Sequence, residues 1–514
     1  MPEISRLARR RELALRLALP LAIAAFHALL AEGYGVFRDE LYYFACGQHL
    51  DWGYVDHPPV VALVAALCGA LFGHSWLALR LVSALAAGAT VLVVGDTARA
   101  LGGGAWARLA AQLLAAVAPV LLALFSTYSM NPFDVLLWAG LFGLAARLLA
   151  GADPRLWLAF GALAGLALET KLSGLYLGAG LAAGLLLARR WDVLAGRWFW
   201  AGGGLAALLV SPYLAWQVAH GWPTLEFVAN ARRLKIQALA PHDYVLEQFL
   251  QAGPLGFALA LAGVAWLLGA RSARPWRALG VAALATLAIL AFGRSKPYYF
   301  APVLTLLFPA AAVALESWTG RAAAAPRRLL RAAALALVAL QAALAPLAKP
   351  VLPVESYLRY AAALGFEAGS DENQEVGRLP QYFADMHGWR ELAGSVARVH
   401  AALPAADRAR ACVVANNYGE AGAIDFFRPE LDLPPAISGH NSYWLWGPGE
   451  CTGEVLLILG ETREEHAGDF ESLELGGVHD CTDCMPYEDQ LPIWIARGLK
   501  VDVRDAWRGI RHFS

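Results

Sequence analysis

The sequence is poor in charged residues and especially poor in lysine. Only 16% of its 514 residues are Asp, Glu, Lys or Arg, whereas soluble globular domains carry about 25%. There are five lysines: Lys171, Lys235, Lys296, Lys349 and Lys500. No glycine-rich phosphate loop of the P-loop or dinucleotide-binding type is present. The net charge is −1, and no basic patch of the kind that binds nucleic acid stands out. These absences argue against a water-soluble globular protein and against a nucleic-acid-binding one.

What the sequence has instead is apolar residues. They make up 58% of the chain, the mean hydropathy is +0.47, and apolar runs near the bilayer-spanning length of about 20 residues recur from position 13 to 347. After Lys349 the sequence becomes mixed and polar. Five arginines between positions 6 and 16 precede an apolar run too long for the core of a cleaved signal peptide. We therefore predict a polytopic α-helical membrane domain over residues 1–348, with a retained first helix, and a soluble domain over 349–514.

Charge predicts the topology. Residues 351–514 carry 26 acidic and 13 basic side chains, whereas the rest of the chain carries 16 acidic and 28 basic ones. Arginine-rich connections alternate with arginine-poor connections, which include the loops 32–57 and 217–253. Because arginine and lysine favour cytoplasmic loops, the arginine-poor loops and the soluble domain are expected outside. This count gives about eleven transmembrane helices, with residues 58–72 as a partial or tilted helix. Twelve spans with one misread loop is the alternative.

The first outer loop concentrates acidic residues near the membrane surface. Asp39 and Glu40 follow the first span almost directly. Ionisable groups at membrane depth are costly and are usually functional or paired. Asp39 is therefore a predicted catalytic or substrate-binding residue. Glu40 is the second candidate catalytic residue, and it is either a second ligand or a structural partner of Arg38.

A second cluster closes the same loop. Asp56 and His57 precede two prolines that suit the first turn of a helix. Asp56 is thus a candidate N-cap, and the pair is also a candidate for substrate binding or for binding a divalent metal. Two residues alone are a weak metal signal.

Two of the rare lysines, Lys171 and Lys296, stand at predicted outer helix ends, against the general charge bias. A lipid phosphate is the natural partner of such cations, and Arg294 beside Lys296 favours that interpretation. Snorkelling of the lysines to the interface is the alternative. Asp134 adds a polar group at another outer helix end, together with Asn131, for which a helix N-cap is an equally good explanation.

These motifs together resemble glycosyltransferase family 39, which groups with the protein O-mannosyltransferases and the lipid A aminoarabinose transferases in the GT-C superfamily. The resemblance covers about residues 34–302. It rests on Arg38-Asp-Glu40, Asp56-His-Pro-Pro59, Glu169-Thr-Lys-Leu-Ser-Gly174 and Gly293-Arg-Ser-Lys-Pro-Tyr-Tyr299. The tail adds Asn416-Asn-Tyr-Gly-Glu-Ala-Gly-Ala423 and Ser438-Gly-His-Asn-Ser-Tyr-Trp-Leu-Trp-Gly-Pro448, which look like the extracytoplasmic domain of bacterial relatives.

The resemblance implies a GT-C fold in a bacterial inner membrane and a sugar donor carried on a polyprenyl phosphate. Transfer to a lipid, glycan or protein acceptor would take place on the periplasmic side. Asp39 stands at the position of the family's loop acid, which deprotonates an acceptor hydroxyl or orients the donor. Asp56 and His57 match the acidic-basic step before the double proline, although relatives often carry Lys at the second position. Tyr298, in the last membrane motif, joins the predicted substrate-binding residues.

A transporter or flippase of polyprenyl-linked sugars is the rival function. It would share the cations for an anionic lipid, but it should also have an internal repeat and a conduit lined on both faces. We find no inverted repeat, and the charged residues concentrate in the outer loops. The enzyme interpretation is therefore favoured.

The tail alternates β-like runs at 411–415, 455–459 and 493–496 with helical stretches, which predicts a small α/β domain. Four cysteines lie in it: Cys412, Cys451, Cys481 and Cys484. An oxidising compartment permits disulfides among them. Cys481 and Cys484 have the spacing of a redox motif, but without a helix start beside them a structural disulfide is the favoured prediction. A single such pair disfavours zinc.

Overall fold

The computed structural model describes residues 2–466 and 468–514, and the side chains of residues 1–11 and 15 lie outside this description. The arginines at positions 6, 9, 10 and 11 therefore lie outside the described side chains. The chain divides into two compact units. The membrane unit comprises Met1–Gly33, Arg80–Leu214 and Ala238–Pro353, and the tail unit comprises Tyr34–Leu79, Ala215–Gln237 and Val354–Ser514. The division at residues 348 and 349 stays a prediction, because the tail unit also includes the first predicted outer loop.

The membrane unit is built from helices. In chain order, the helices that lie wholly or mostly in it are Pro2–Leu29, Trp76–Ala100, Ala105–Val117, Pro119–Leu124, Met130–Leu149, Leu156–Leu168, Gly174–Leu187, Trp191–Leu194, Arg197–Ala219, Pro241–Ala252, Pro254–Gly269, Arg277–Phe292, Ala301–Gly320, Ala324–Leu340 and Ala345–Ala348. Short 3₁₀ turns occupy Arg274–Trp276, Pro297–Phe300 and Gln341–Leu344. A core of buried Ala, Leu, Val and Phe side chains runs through these helices.

The predicted membrane character is confirmed. Within the described residues, seven helical stretches are long and apolar enough to cross a bilayer, or eight if the pair Pro241–Ala252 and Pro254–Gly269, bent by 116°, is one span. Four further apolar helices are shorter, and one of them is Val60–Phe72. Its 13 residues extend about 20 Å, less than the hydrocarbon thickness of about 30 Å. Helix length alone thus does not confirm eleven crossings, which stay a prediction.

Small residues let the membrane helices approach closely. A Cβ atom placed on Gly161 would collide with the backbone carbonyl of Gly202 on the helix Arg197–Ala219. By contrast, a Cβ on Gly178, in the helix Gly174–Leu187, would meet nothing within 4 Å. Backbone contact at glycine is a common way to pack helices in lipid, where the hydrophobic effect between helices is absent.

The tail unit has a five-stranded sheet, which confirms its predicted α/β character. The strands are β1 Ala411–Ala415, β2 Ala436–Ser438, β3 Val455–Leu459, β4 Phe470–His479 and β5 Leu491–Leu499. They lie in the order β2-β1-β3-β5-β4. β1 is parallel to β2 and β3, and β5 is antiparallel to β3 and β4. The helices are Arg38–Gln48, Val60–Phe72, Pro223–Asn230, Val354–Ala363, Gln381–Ala384, Trp389–Ala402, Ala405–Arg408, Tyr418–Leu431, Ser442–Trp446, Arg463–His466 and Val503–Gly509, with a π-helical turn at Ala231–Lys235 and a 3₁₀ turn at Pro486–Glu488.

The helix after β1 packs on the first outer loop. Asn417 caps the helix Tyr418–Leu431 by accepting hydrogen bonds from the N–H groups of Gly419 and Glu420, at 2.8 and 3.0 Å. One turn further on, a Cβ at Gly422 would lie 3.0 Å from Leu41, so glycine permits this helix to approach the helix Arg38–Gln48. The packing brings Tyr418, the first residue of this helix, to the helix that carries Asp39.

The cysteines differ from the prediction. Cys412 on β1 forms a disulfide with Cys451, with 5.8 Å between their Cα atoms. Cys481 and Cys484 are free thiols, so the predicted structural disulfide between them is wrong for this structure. The thiol of Cys484 donates a hydrogen bond to the carbonyl oxygen of Cys481 instead, at 2.8 Å.

Candidate active site

Four of the predicted site residues, Asp39, Asp134, Lys171 and Tyr298, lie in two clusters, one in each unit. The Asp39 cluster in the tail unit consists of Arg38, Asp39, Asp385, Tyr418 and Tyr487. The Lys171 cluster in the membrane unit consists of Asn131, Asp134, Lys171, Ser173, Tyr298 and Tyr299.

Asp39 lies in the first turn of the helix Arg38–Gln48. Glu40 is buried, and its Oε2 accepts the backbone N–H of Phe37 at 2.7 Å, which caps the start of this helix. A carboxylate in this turn also interacts favourably with the positive end of the helix dipole. Glu40, predicted as a catalytic residue or as a structural partner of Arg38, thus caps the start of its own helix.

The Asp39 carboxylate is held at one oxygen. Its Oδ1 accepts a hydrogen bond from the Tyr418 hydroxyl at 2.9 Å and lies 3.7 Å from Nε of Arg38. The Asp39 side chain is 30% exposed, whereas that of Asp385 is only 3% exposed. Asp39 is thus oriented by its neighbours and still accessible to a reactant.

Arg38 links the two acids of the cluster. Its Nη1 lies 3.5 Å from Oδ1 of Asp385 and donates to the Tyr487 hydroxyl at 2.8 Å, and its guanidinium lies over the ring of Tyr418 at 5.4 Å. Burial raises the pKa of Asp385 to about 6, although the charge of Arg38 opposes the increase. One half-buried cation therefore interacts with two carboxyl groups, and the deeper of these carries a proton in mildly acidic solution.

Asp56 and His57 have separate partners. Oδ1 of Asp56 accepts from the Tyr42 hydroxyl at 2.7 Å, and the same hydroxyl lies 2.8 Å from Oγ of Ser442. The helix Val60–Phe72 has Pro59 as its N-cap and no side-chain cap, so the N-cap interpretation of Asp56 is wrong. Burial is the main cause that raises the pKa of Asp56.

His57 is fully buried and stacks on Tyr54 at 4.6 Å. Its Nδ1 lies 2.8 Å from the Pro58 carbonyl oxygen. Because a carbonyl oxygen only accepts hydrogen bonds, Nδ1 carries the proton. Nε2 therefore has a free lone pair, and it has no hydrogen-bond partner in the described part of the chain. Burial lowers the pKa of His57, which favours the neutral ring.

Neutral imidazole nitrogen is a metal ligand. Asp56 and His57 were the metal candidates, yet residues 2–466 and 468–514 contain no group of three or more His, Cys, Asp or Glu side chains that could hold an ion. The arrangement therefore gives no support to a metal role for this pair.

Lys171 is buried in the membrane unit, with a relative exposure of 8%. Its Nζ lies 2.6 Å from Oδ1 of Asn131, 4.3 Å from the ring centroid of Tyr299 and 5.3 Å from that of Tyr298. Asn131 and the two tyrosine rings are neutral, so these three contacts stabilise the ammonium group without cancelling its charge.

Two neighbours complete the Lys171 cluster. Oδ1 of Asp134 accepts from the hydroxyl of Ser173 at 2.6 Å. The helix Met130–Leu149 is capped by Ser129, which accepts from the N–H of Asn131 at 3.1 Å. The N-cap interpretation of Asn131 is therefore wrong, and its amide side chain contacts Lys171 instead.

The two cations of the last predicted motif, Arg294 and Lys296, are less buried than Lys171. Arg294 is exposed and has a left-handed backbone with φ of 52°. Lys296 is half-buried, and its carbonyl oxygen accepts from the Tyr244 hydroxyl at 3.2 Å. The structure thus brings together Asp134, Lys171 and Tyr298, but the described contacts do not include Arg294 among them.

Sequence reasoning missed three contacts of these clusters. Tyr418 and Asp385 both reach the first outer loop from the far end of the chain, and Tyr299 lies closer to Lys171 than the predicted Tyr298 does. Tyr418 stands inside a motif that carried the family resemblance, and this was the available signal. Asp385 lies in no motif.

The comparisons agree with this fold. Residues 56–216 match the family model described as dolichyl-phosphate-mannose-protein mannosyltransferase. Two crystal structures of ArnT from Cupriavidus metallidurans are similar to the chain, one in the apo state (TM-score 0.61, 16% identity) and one bound to undecaprenyl phosphate (TM-score 0.59, 15% identity). Each comparison covers 93% of this chain and 97% of that chain. No curated protein sequence matches the chain. The resemblance to GT-C glycosyltransferases of the family 39 type is thereby confirmed.

Proposed function

We propose that the chain is a membrane glycosyltransferase that transfers a sugar from a polyprenyl-phosphate donor to an acceptor on the periplasmic side. The proposal includes about eleven crossings of a bacterial inner membrane and a periplasmic tail domain. It is supported by the match of residues 56–216 to a mannosyltransferase family model and by a fold similar to that of ArnT, which was crystallised with undecaprenyl phosphate.

The Asp39 carboxylate is the observation that carries the proposal. A base for sugar transfer must be accessible to the acceptor and must also be held in one orientation. Asp39 meets both requirements, because one oxygen is fixed by Tyr418 at 2.9 Å and the side chain stays 30% exposed. We assign Asp39 the role of the base, with Glu40 and Arg38 as residues that position it.

The chemistry is one displacement at the anomeric carbon. The acceptor oxygen forms the new bond to that carbon and gives its proton to Asp39. The bond from the carbon to the phosphate oxygen breaks, and the polyprenyl phosphate leaves with the electron pair. If the acceptor is itself a phosphate, no proton is transferred and Asp39 only orients the reactants.

A departing phosphate needs cationic partners, since charge develops on its oxygen in the transition state. Lys171 is assigned this role because it is a buried cation whose hydrogen-bond and ring contacts, to Asn131 and Tyr299, are neutral. Lys296 and Arg294 are proposed to bind the same phosphate. Asp134 and Tyr298 position Lys171 and line its surroundings.

Asp56 and His57 are proposed to bind the substrate through hydrogen bonds. The unpartnered Nε2 of His57 can accept a hydrogen bond from a hydroxyl, but a neutral ring cannot hold a phosphate as a lysine would. Relatives often carry lysine where this chain has His57. We therefore assign phosphate binding to the cations of the membrane unit.

The test is sugar transfer by purified protein in lipid, from synthetic polyprenyl-phosphate sugars that carry a radiolabel. We expect Asp39→Asn to lower kcat by about 10²-fold or more, since a positioned base contributes about 10²–10⁴-fold. Lys171→Ala should lower it by about 10–100-fold, the range for a lost hydrogen bond to a charged group. Asp505→Asn and Lys500→Ala are matched controls, because both side chains are exposed and lie outside the two clusters.

Transfer by wild type and both controls, together with loss in both variants at unchanged folding, would support the proposal. A wild type that transfers no sugar from a broad donor panel, yet moves labelled lipid between leaflets, would instead establish the flippase. Transfer that is unchanged by Asp39→Asn would refute the base but not the enzyme.

A further inference from the structure

The loop between β4 and β5 carries two free thiols with different surroundings. Cys484 is buried, and its thiol donates to the carbonyl of Cys481 at 2.8 Å. Cys481 is half-buried and is one of the residues that line a cavity of about 530 Å³ in the tail unit. The sulfur of Cys481 is therefore accessible from the cavity, whereas the sulfur of Cys484 is buried.

The start of a helix approaches the reachable thiol. Gly388 precedes the helix Trp389–Ala402 and has φ of 85°. A Cβ atom on Gly388 would lie 2.6 Å from Sγ of Cys481 and 3.4 Å from Nε2 of His479. Glycine is favoured at position 388 for two reasons: it permits the left-handed backbone, and its missing side chain leaves room for the sulfur of Cys481. The helix start that a redox motif requires comes from a distant part of the chain.

These neighbours favour the thiolate of Cys481. The Cys484 side chain is the largest cause that lowers the pKa of Cys481, to about 5, and His479 lowers it further against the opposing effect of burial. The pKa of Cys484 is raised. Helix N-termini and nearby histidines have the same effect on reactive cysteines in general. The ionisable groups around Cys481 are His387, His479, Asp483, Cys484 and Asp489.

The cavity gives a reactant access to this sulfur. Its wall includes Tyr34, Trp76, His387, Trp389 and Phe427 besides Cys481. These residues all belong to the tail unit, and none of them belongs to the Asp39 cluster. The wall combines aromatic rings with polar groups, which suits a small peptide-like or thiol-bearing molecule.

We propose that Cys481 and Cys484 form a thiol–disulfide exchange site that reacts with low-molecular-weight disulfides entering through this cavity. The thiolate of Cys481 attacks one sulfur of the external disulfide, whose S–S bond breaks to release one thiolate. Cys484 then loses its proton and attacks the Cys481 sulfur, which releases the second thiolate. Two electrons pass from the cysteine pair to the external disulfide, and the two released thiolates take up the proton of Cys484 and one proton from the solvent.

The site is independent of sugar transfer, so each proposal can fail without the other. The first measurement uses the full chain in detergent, equilibrated with reduced and oxidised glutathione at a series of ratios and then trapped by alkylation for mass spectrometry. We expect Cys481 and Cys484 to change together between two alkylated thiols and one disulfide, while the bridge Cys412–Cys451 stays oxidised.

Single substitutions identify the attacking sulfur. Cys484→Ser should accumulate glutathione on Cys481, whereas Cys481→Ser should leave Cys484 unmodified. At pH 6, alkylation of Cys481 should be roughly tenfold faster than that of the thiols in urea-denatured protein. The larger thiolate fraction, about 10³-fold, outweighs the lower nucleophilicity of an acidic thiolate, which costs about 10²-fold.

Two results would overturn the proposal. The pair could stay oxidised at every glutathione ratio, which would make it a closed structural disulfide. Alternatively, Cys481 of the native wild type could react no faster than the denatured thiols. Both results come from the unmodified protein, so a variant that fails to fold does not affect the decision.

Discussion

Removal of one hydroxyl group tests how Asp39 is held. Tyr418→Phe deletes the donor to Oδ1 of Asp39 and leaves the ring in place. That ring packs against Tyr42 at 4.7 Å and His440 at 4.8 Å between centroids. The substitution therefore changes the hydrogen bond and little of the packing.

The expected magnitude follows from the bond. A hydrogen bond to a charged group contributes about 1.5–3 kcal/mol. The exposed Asp39 carboxylate regains part of this from water and from Arg38, which is 3.7 Å away. A remainder of about 1.4 kcal/mol corresponds to a tenfold lower kcat. The KM for the donor should stay unchanged, because the hydroxyl orients the base and does not bind the lipid phosphate.

The assay is the same transfer reaction, run as a double-mutant cycle. Tyr418→Phe should cost about tenfold alone and close to nothing in the Asp39→Asn background, since the base it orients is then gone. Tyr443→Phe is the matched control: this buried tyrosine of the same unit donates to Oδ2 of Asp425 at 2.8 Å and does not contact Asp39. It should leave kcat within about twofold of wild type.

An equal loss from Tyr418→Phe in both backgrounds would refute the reasoning, because the hydroxyl would then act on something other than Asp39. A loss as large in Tyr443→Phe would point to general damage to the tail unit. Circular dichroism and thermal unfolding of each variant separate this second case from the first.

Three further predictions concern stability, measured by thermal unfolding in detergent. Serine at both Cys412 and Cys451 should cost about 4 kcal/mol, the chain-entropy value for a loop of their 39-residue separation; an unchanged melting temperature would contradict this. Gly161→Ala should cost about 1–3 kcal/mol, because its Cβ meets backbone, while the control Gly178→Ala should not destabilise. Burial raises the pKa of Asp385 to about 6 from 3.8, so the protonated carboxyl group stabilises the folded state below pH 4. About 3 kcal/mol should be lost as the pH rises through 6, and Asp385→Asn should flatten this slope.

Features that depend on local sequence could be predicted. Apolar run length gave the membrane helices, and alternation of β-like and helical stretches gave the α/β tail. Asp134 and Lys171 were named from their positions at predicted outer helix ends and Tyr298 from a family motif, and the structure brings these three together. Each signal lies within about 20 residues of the feature it predicts, so no knowledge of packing was needed.

Features that depend on distant packing could not be predicted. Tyr418 reaches Asp39 across 379 positions, and the helix that begins after Gly388 reaches a thiol at position 481. A sequence pattern shows which side chains an element carries, but not which elements it will pack against. The same limit explains Glu40, whose use as a helix cap depends on where its helix begins.

The three-segment composition of the tail unit sets an order in time. During translation the Asp39 loop leaves the ribosome first, and the hydroxyl that orients it follows 379 residues later. At about 5–20 residues per second, this interval lasts roughly 20–80 s. Until then the Asp39 carboxylate lacks its hydrogen bond from the Tyr418 hydroxyl. The Asp39 carboxylate can therefore take its final orientation only after all three segments of the tail unit have been translated.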